Sequence, residues 1–159
     1  MKKIEGTFHI EAEPAAVLET IRNPKMIEAS EKSRDALEVD IKDLTKNDDL
    51  HKFQIHVVSY AKGVKGIDKS KTEKSFTEVS WNLKDMTGTW VWNGPHGPKV
   101  NVGGGYSLKA AGNGTDLHLK TDIDISIPLV GKVVEAKVAS EFQKGWPKYI
   151  DTIKQWIGK

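Results

Sequence analysis

Leu117, Leu119, Thr121, Ile123, Ile125 and Ile127 alternate with Asp116, His118, Lys120, Asp122, Asp124 and Ser126. This period of two predicts a strand with one apolar face and one wet face. After Pro128-Leu129-Val130-Gly131 the repeat lengthens to about 3.6. Val134, Val138, Phe142, Gly145, Tyr149, Ile153 and Trp156 then fall on one stripe of a long helix, within roughly 100° of arc. A half-buried sheet running into a terminal amphipathic helix predicts that the helix closes the sheet's concave side.

The rest of the chain alternates in the same way. Ile4, Gly6, Phe8 and Ile10 share a parity, giving a first strand over 3–11. Pro14 occupies a first helical position, and Pro24 ends that helix and opens a second over 24–31. Strands follow over 37–42 and around Phe53, Ile55 and Val57, joined by a turn at Asn47-Asp48-Asp49. Lys62 to Lys71 breaks the alternation and reads as a loop. Phe76–Leu83, Gly88–Trp92 and Val102–Ala110 are further strands, with Asn93 to Pro98 a turn-rich loop. Asn113-Gly114-Thr115 matches a glycosylation acceptor but reads as a hairpin turn. Strands flanked by helices in this order give an α+β class with an antiparallel sheet.

Length and composition narrow the function. The 159 residues fit one domain, 1–159, with a substantial core. The charged 29% nearly cancels to +2, which is no basic tract seeking nucleic acid. The absence of cysteine excludes disulfides, thiolate chemistry and cysteine zinc sites. No stretch has the roughly 18 apolar residues of a membrane span, and no secretory leader follows Lys2-Lys3. The expectation is a soluble cytoplasmic protein.

The order of elements, with two short helices after the first strand and a long terminal helix, resembles the helix-grip fold of the START and pollen-allergen (SRPBCC) superfamily over essentially the whole chain. Ile125 to Gly131 running into Val134-Glu135, with Trp156 near the end, is similar to an uncharacterised bacterial group within it. The plant allergens' glycine-rich turn has no counterpart here, because Thr45 to Asp49 contains no glycine. The resemblance implies a curved sheet of six to seven strands around the C-terminal helix, with an internal cavity for a hydrophobic small molecule. Some members of the superfamily are cyclases or hydrolase-like enzymes, and others regulate partner proteins.

The residues offer a lining for such a cavity. Trp81, Trp90, Trp92 and Tyr106 join Leu119 and Ile123 on the sheet and Val138, Phe142 and Tyr149 on the helix. These side chains suit either a pocket or a packed core. Val64, Ile67, His96 and Gly145 are placed at the cavity mouth. Gly145 leaves a hollow in the helix stripe, and Pro147 removes an amide bond and should bend or restart the helix. That bend either shapes the mouth or follows the sheet's curvature. Gly103-Gly104-Gly105 reads as a bulge or bend, not a phosphate cradle.

Catalytic constellations are sparse. Glu135 and Glu141 diverge by about 120° on the helix and read as solvated rim residues. His9 and His118 lie on wet parities, His51 and His56 have opposite parities on one strand, and no metal-ligand spacing occurs. No cofactor motif is present. The function expected is binding or transport of a lipid-like or polycyclic molecule. The alternatives are a cyclase- or hydrolase-like enzyme using Tyr106, Tyr149, Glu141 or His96, and a partner-regulating domain. The lysines of 62–74 could attract an acidic head group or a membrane surface, although Asp68 and Glu73 dilute them.

Overall fold

A computed structural model describes residues 1–63 and 66–159. The elements run β1 (Lys2–Ile10), α1 (Pro14–Ile21), α2 (Pro24–Lys32), β2 (Glu38–Lys46), β3 (Leu50–Gly63) and β4 (Gly66–Asn82). They continue through β5 (Thr87–Asn93), a 3-10 turn (Gly97–Lys99), β6 (Val100–Ala111), β7 (Gly114–Ile125) and α3 (Gly131–Trp156). The seven strands form one antiparallel sheet ordered β1-β7-β6-β5-β4-β3-β2. This is the helix-grip α+β architecture.

Local chemistry sets the corners. Both short helices start on a proline, whose fixed φ and missing N–H suit a first helical turn. Asn23 caps α2 by accepting from the Lys25 amide at 2.9 Å. Asn47 Oδ1 accepts from the amides of Asp49 and Leu50, both at 2.9 Å, to close the β2–β3 turn. Asn82 Oδ1 does the same at β4–β5 with Lys84 and Asp85. Gly112, at φ 58°, takes the left-handed position of the β6–β7 hairpin.

The core lies between the sheet and the three helices. Ile10, Val17, Met26, Phe53, Trp81, Leu117, Ile123 and Ile153 are its deepest hydrophobic side chains. α3 packs over β1 and β7 and against α1 and α2.

Two expectations need correction and two alternatives are narrowed. Within the expected loop from Lys62 to Lys71, residues 62–63 and 66–71 are strand, and Val64 lies outside the described residues. The hairpin continues for several rungs past Phe76↔Asn93, where β5 ends, so neither face has a core to alternate against. α3 passes through Pro147 without restarting. Its deepest face is Gly131, Glu135, Ala139, Trp146, Ile150 and Ile153, which leaves Val134, Val138, Phe142, Gly145, Tyr149 and Trp156 half-buried. Gly103-Gly104-Gly105 pairs regularly with both neighbours, without a bulge. At Gly104 a Cβ would collide with the Lys120 carbonyl oxygen and meet Trp90 Nε1.

Candidate functional site

The strand registers align the inward side chains in rows across the sheet. His51, Trp81, Gly88, Tyr106, Leu119 and Gly6 oppose one another from β3 to β1. Phe53, Val79, Trp90, Gly104, Thr121 and Ile4 form the next row, and Ile55, Thr77, Trp92, Val102 and Ile123 the row beyond. Trp81, Trp90, Trp92, Tyr106, Leu119 and Ile123 therefore share the concave face. Glycines make room for the indoles. A Cβ on Gly88 would sit 2.8 Å from the Trp81 ring, and one on Gly6 would sit 3.1 Å from Trp146. Trp81 stacks on Tyr106 with centroids 5.1 Å apart.

Depth divides the set. Trp81, Leu119 and Ile123 belong to the sealed core. Trp90, Trp92, Tyr106, Val138, Phe142 and Tyr149 are half-buried and pack against it. Trp90 meets Phe142 across the gap to α3 at 5.8 Å. Val39, Ile41 and Val57, which the sequence pattern did not single out as lining, are half-buried on the same inward parity of β2 and β3. Beside Gly145, on the flank shared with Phe142 and Tyr149, an added methyl would find open space. Ile67 and His96 are exposed.

The polar groups inside are few. The phenols of Tyr106 and Tyr149 lie within reach of one another and feel the charges of the Arg34–Glu31 ion pair at the end of α2. Burial pushes Tyr106 up to about 12 and Tyr149 well above its usual value, so both remain protonated donors at neutral pH. Trp81 Nε1 is buried without a hydrogen-bond partner among the described residues.

His51 faces inward on β3 and is buried, with a polar partner on each ring nitrogen. Arg22 Nε donates to Nδ1 at 3.0 Å, and Nε2 donates to Asp43 Oδ1 at 2.7 Å. This fixes the tautomer and ties the end of α1 to the β2–β3 hairpin. Burial in this network lowers the Arg22 guanidinium, with Glu19 and Asp43 partly compensating. Parity with Phe53 and Ile55 could have revealed His51, but no sequence signal announces its partners. Glu135 is buried, contrary to the rim assignment: its Oε2 accepts from the Ile125 amide at 3.1 Å. Glu141 is exposed, as is His9 on the outer face, where its partner Asp116 is half-buried.

Two open depressions lie at the end of the sheet from which α3 starts. One of about 320 Å³ is bounded by Trp92, Gly94, Pro98 and Val100 among others. The other, about 280 Å³, is bounded by Val39, His56, Val57 and Ser75 among others. Among the described residues, none from α3 lines either. Among the same residues, no group of three His, Asp or Glu side chains is positioned to hold a metal ion.

This sheet, its terminal helix and its paired short helices define the helix-grip fold. A START superfamily protein from Mycobacterium smegmatis superposes with a TM-score of 0.59 at 13% identity, covering 98% of this chain and 96% of its own. A protein from Thermus thermophilus gives 0.66 at 14%, covering 98% and 97%. The Zhui aromatase/cyclase from Streptomyces sp. R1128 gives 0.60 at 9%, covering 97% and 92%. At such identities the likeness is one of fold. No curated protein matches the sequence. The chain belongs to the DUF2505 family of proteins of unknown function, which it matches over residues 5–157.

Proposed function

We propose that the concave face between β2–β6 and α3 binds an apolar small molecule, lipid-like or polycyclic, and that this binding is the protein's function. The observation that carries the reading is the band of half-buried aromatic and aliphatic side chains facing the α3 flank, with open space at Gly145. A folded core seals its large apolar residues, whereas a binding face leaves them partly accessible with a few convergent polar groups. Trp90, Trp92, Val57 and Phe142 supply the apolar wall. Tyr106 and Tyr149, both protonated, supply donors for one oxygen of the ligand. Ligand enters from the end where Trp92 and Val100 border one depression and Val39 and Val57 the other. Trp90 and Phe142 part to admit it.

The same fold in an aromatase/cyclase and a START superfamily protein supports a hydrophobic ligand over a polar one. The phenols suit hydrogen-bond donation, since their raised values leave no phenolate base at neutral pH. Native mass spectrometry of the protein as purified, followed by solvent extraction, tests the reading. It should give a discrete added mass that extracts as an apolar compound. If no compound co-purifies, titration with fluorene and 9-fluorenone should quench the tryptophans saturably. A bare mass together with no saturable quenching by either probe sinks the proposal.

A further inference from the structure

The start of α3 breaks three local rules within five residues. Leu129 holds φ 70°, a left-handed conformation that favours glycine or asparagine over a branched apolar residue. It is 104% exposed, and Val130 and Val133 are exposed at 39% and 72%. The helix N-cap is Val130, which makes no side-chain cap bond where serine, threonine, aspartate or asparagine is the norm. A soluble surface would be served better by a polar residue at each position. Local rules broken together without a packing gain mark a surface shaped for something other than folding.

The two loops that form this promontory carry positive charge and no carboxylate. Residues 125–134 carry Lys132 and no carboxylate. The neighbouring loop 93–100 carries Lys99 and none either, and the Ser126 amide bonds the Lys99 carbonyl at 2.8 Å. Lys2 and Lys3 begin β1 beside the end of β7. All four lysines are exposed, and no carboxylate pairs with any of them among the described residues. Of the flanking acids, Glu135 turns inward to the Ile125 amide, and Asp122, opposite Lys3, and Asp124 lie on the outer face of β7. An apolar tip ringed by lysines is complementary to the interface of an anionic bilayer, where the tip enters the acyl boundary and the lysines meet head groups.

We infer that the Leu129–Val133 turn is a membrane-docking tip that seats the protein reversibly on anionic lipid surfaces. The inference does not depend on what occupies the concave face. No helix among the described residues is long and apolar enough to cross a membrane, so the contact is peripheral.

Flotation with vesicles of phosphatidylcholine alone, and with phosphatidylglycerol added, tests it on the full chain. Binding should appear with phosphatidylglycerol and weaken as salt screens the lysines. Leu129→Gly with Val133→Ser should lower the partition coefficient by roughly tenfold or more. Glycine accepts φ 70°, so this variant should melt no lower than the parent. Lys99→Gln with Lys132→Gln, which touches no core contact, should lower it several-fold and flatten the salt dependence. Absence of binding to the anionic vesicles overturns the inference, as does equal binding by the parent and both variants. Parent self-association that the first variant abolishes, without vesicle binding, would assign the tip to a second copy of the chain and equally overturn it.

Discussion

Tyr106 and Tyr149 bury a pair of phenols, and this has a consequence at high pH. Burial raises the folded value of Tyr106 from 10.0 to about 12 and that of Tyr149 in the same direction. Below pH 10 both the folded and the unfolded chain keep these protons, so their contribution to stability is fully present. Between about 10 and 12 the unfolded chain has lost protons that the folded one retains. Stability must therefore fall as pH rises through that window. Urea unfolding midpoints measured across it should drop for the parent. Tyr106→Phe with Tyr149→Phe should decline less steeply, and an equal decline would show that other groups set the alkaline limit. The same burial explains why glycine recurs opposite indoles. Gly88 beneath Trp81 and Gly6 beneath Trp146 leave room that a larger side chain would fill.

At the scale of the element, α3 gives up helix propensity at Gly145 and a backbone bond at Pro147, yet runs unbroken from Gly131 to Trp156. Nothing lies within 4 Å of a Cβ added at Gly145. Gly145→Ala should therefore stabilise the protein by about 0.5–1 kcal/mol, the helix-propensity difference alone. Gly145→Leu should keep that gain and weaken binding of 9-fluorenone by about tenfold, because the side chain would enter the proposed ligand space. Thermal melts and tryptophan quenching read the two effects separately.

The strands around Phe53, Trp81, Trp92, Tyr106 and Leu119 were legible from parity alone, because one face of each meets the core. The β3–β4 overhang was not, since its rungs beyond β5 lack a buried face to impose alternation. The rotation of α3 was also hidden. A pattern of apolar residues discounts Glu135, but a carboxylate that binds the Ile125 amide is satisfied in the interior and turns the helix toward itself. The half-buried flank, and with it the proposed binding face, follows from that rotation.

At the scale of the whole molecule, the decisive pairing is the one between the first and last strands. Lys2 meets Ile123 and Ile10 meets Thr115, whereas β2 through β7 each follow their neighbour by a hairpin. The meander can assemble from local contacts, but β1 has no partner until β7 has been made. Loop closure over nearly the whole chain is then required in one late step. Ile10→Val, at a side chain 1% exposed, should cost about 0.5–1.5 kcal/mol. Most of that loss should appear as faster unfolding, with the folding limb of the chevron little changed. A folding rate that falls in proportion would place β1 in the nucleus instead. For a chain emerging from the ribosome, the first strand waits unpaired until β7 has been made, and Lys2, Lys3 and Glu5 keep that waiting strand charged at its start and along its outward face.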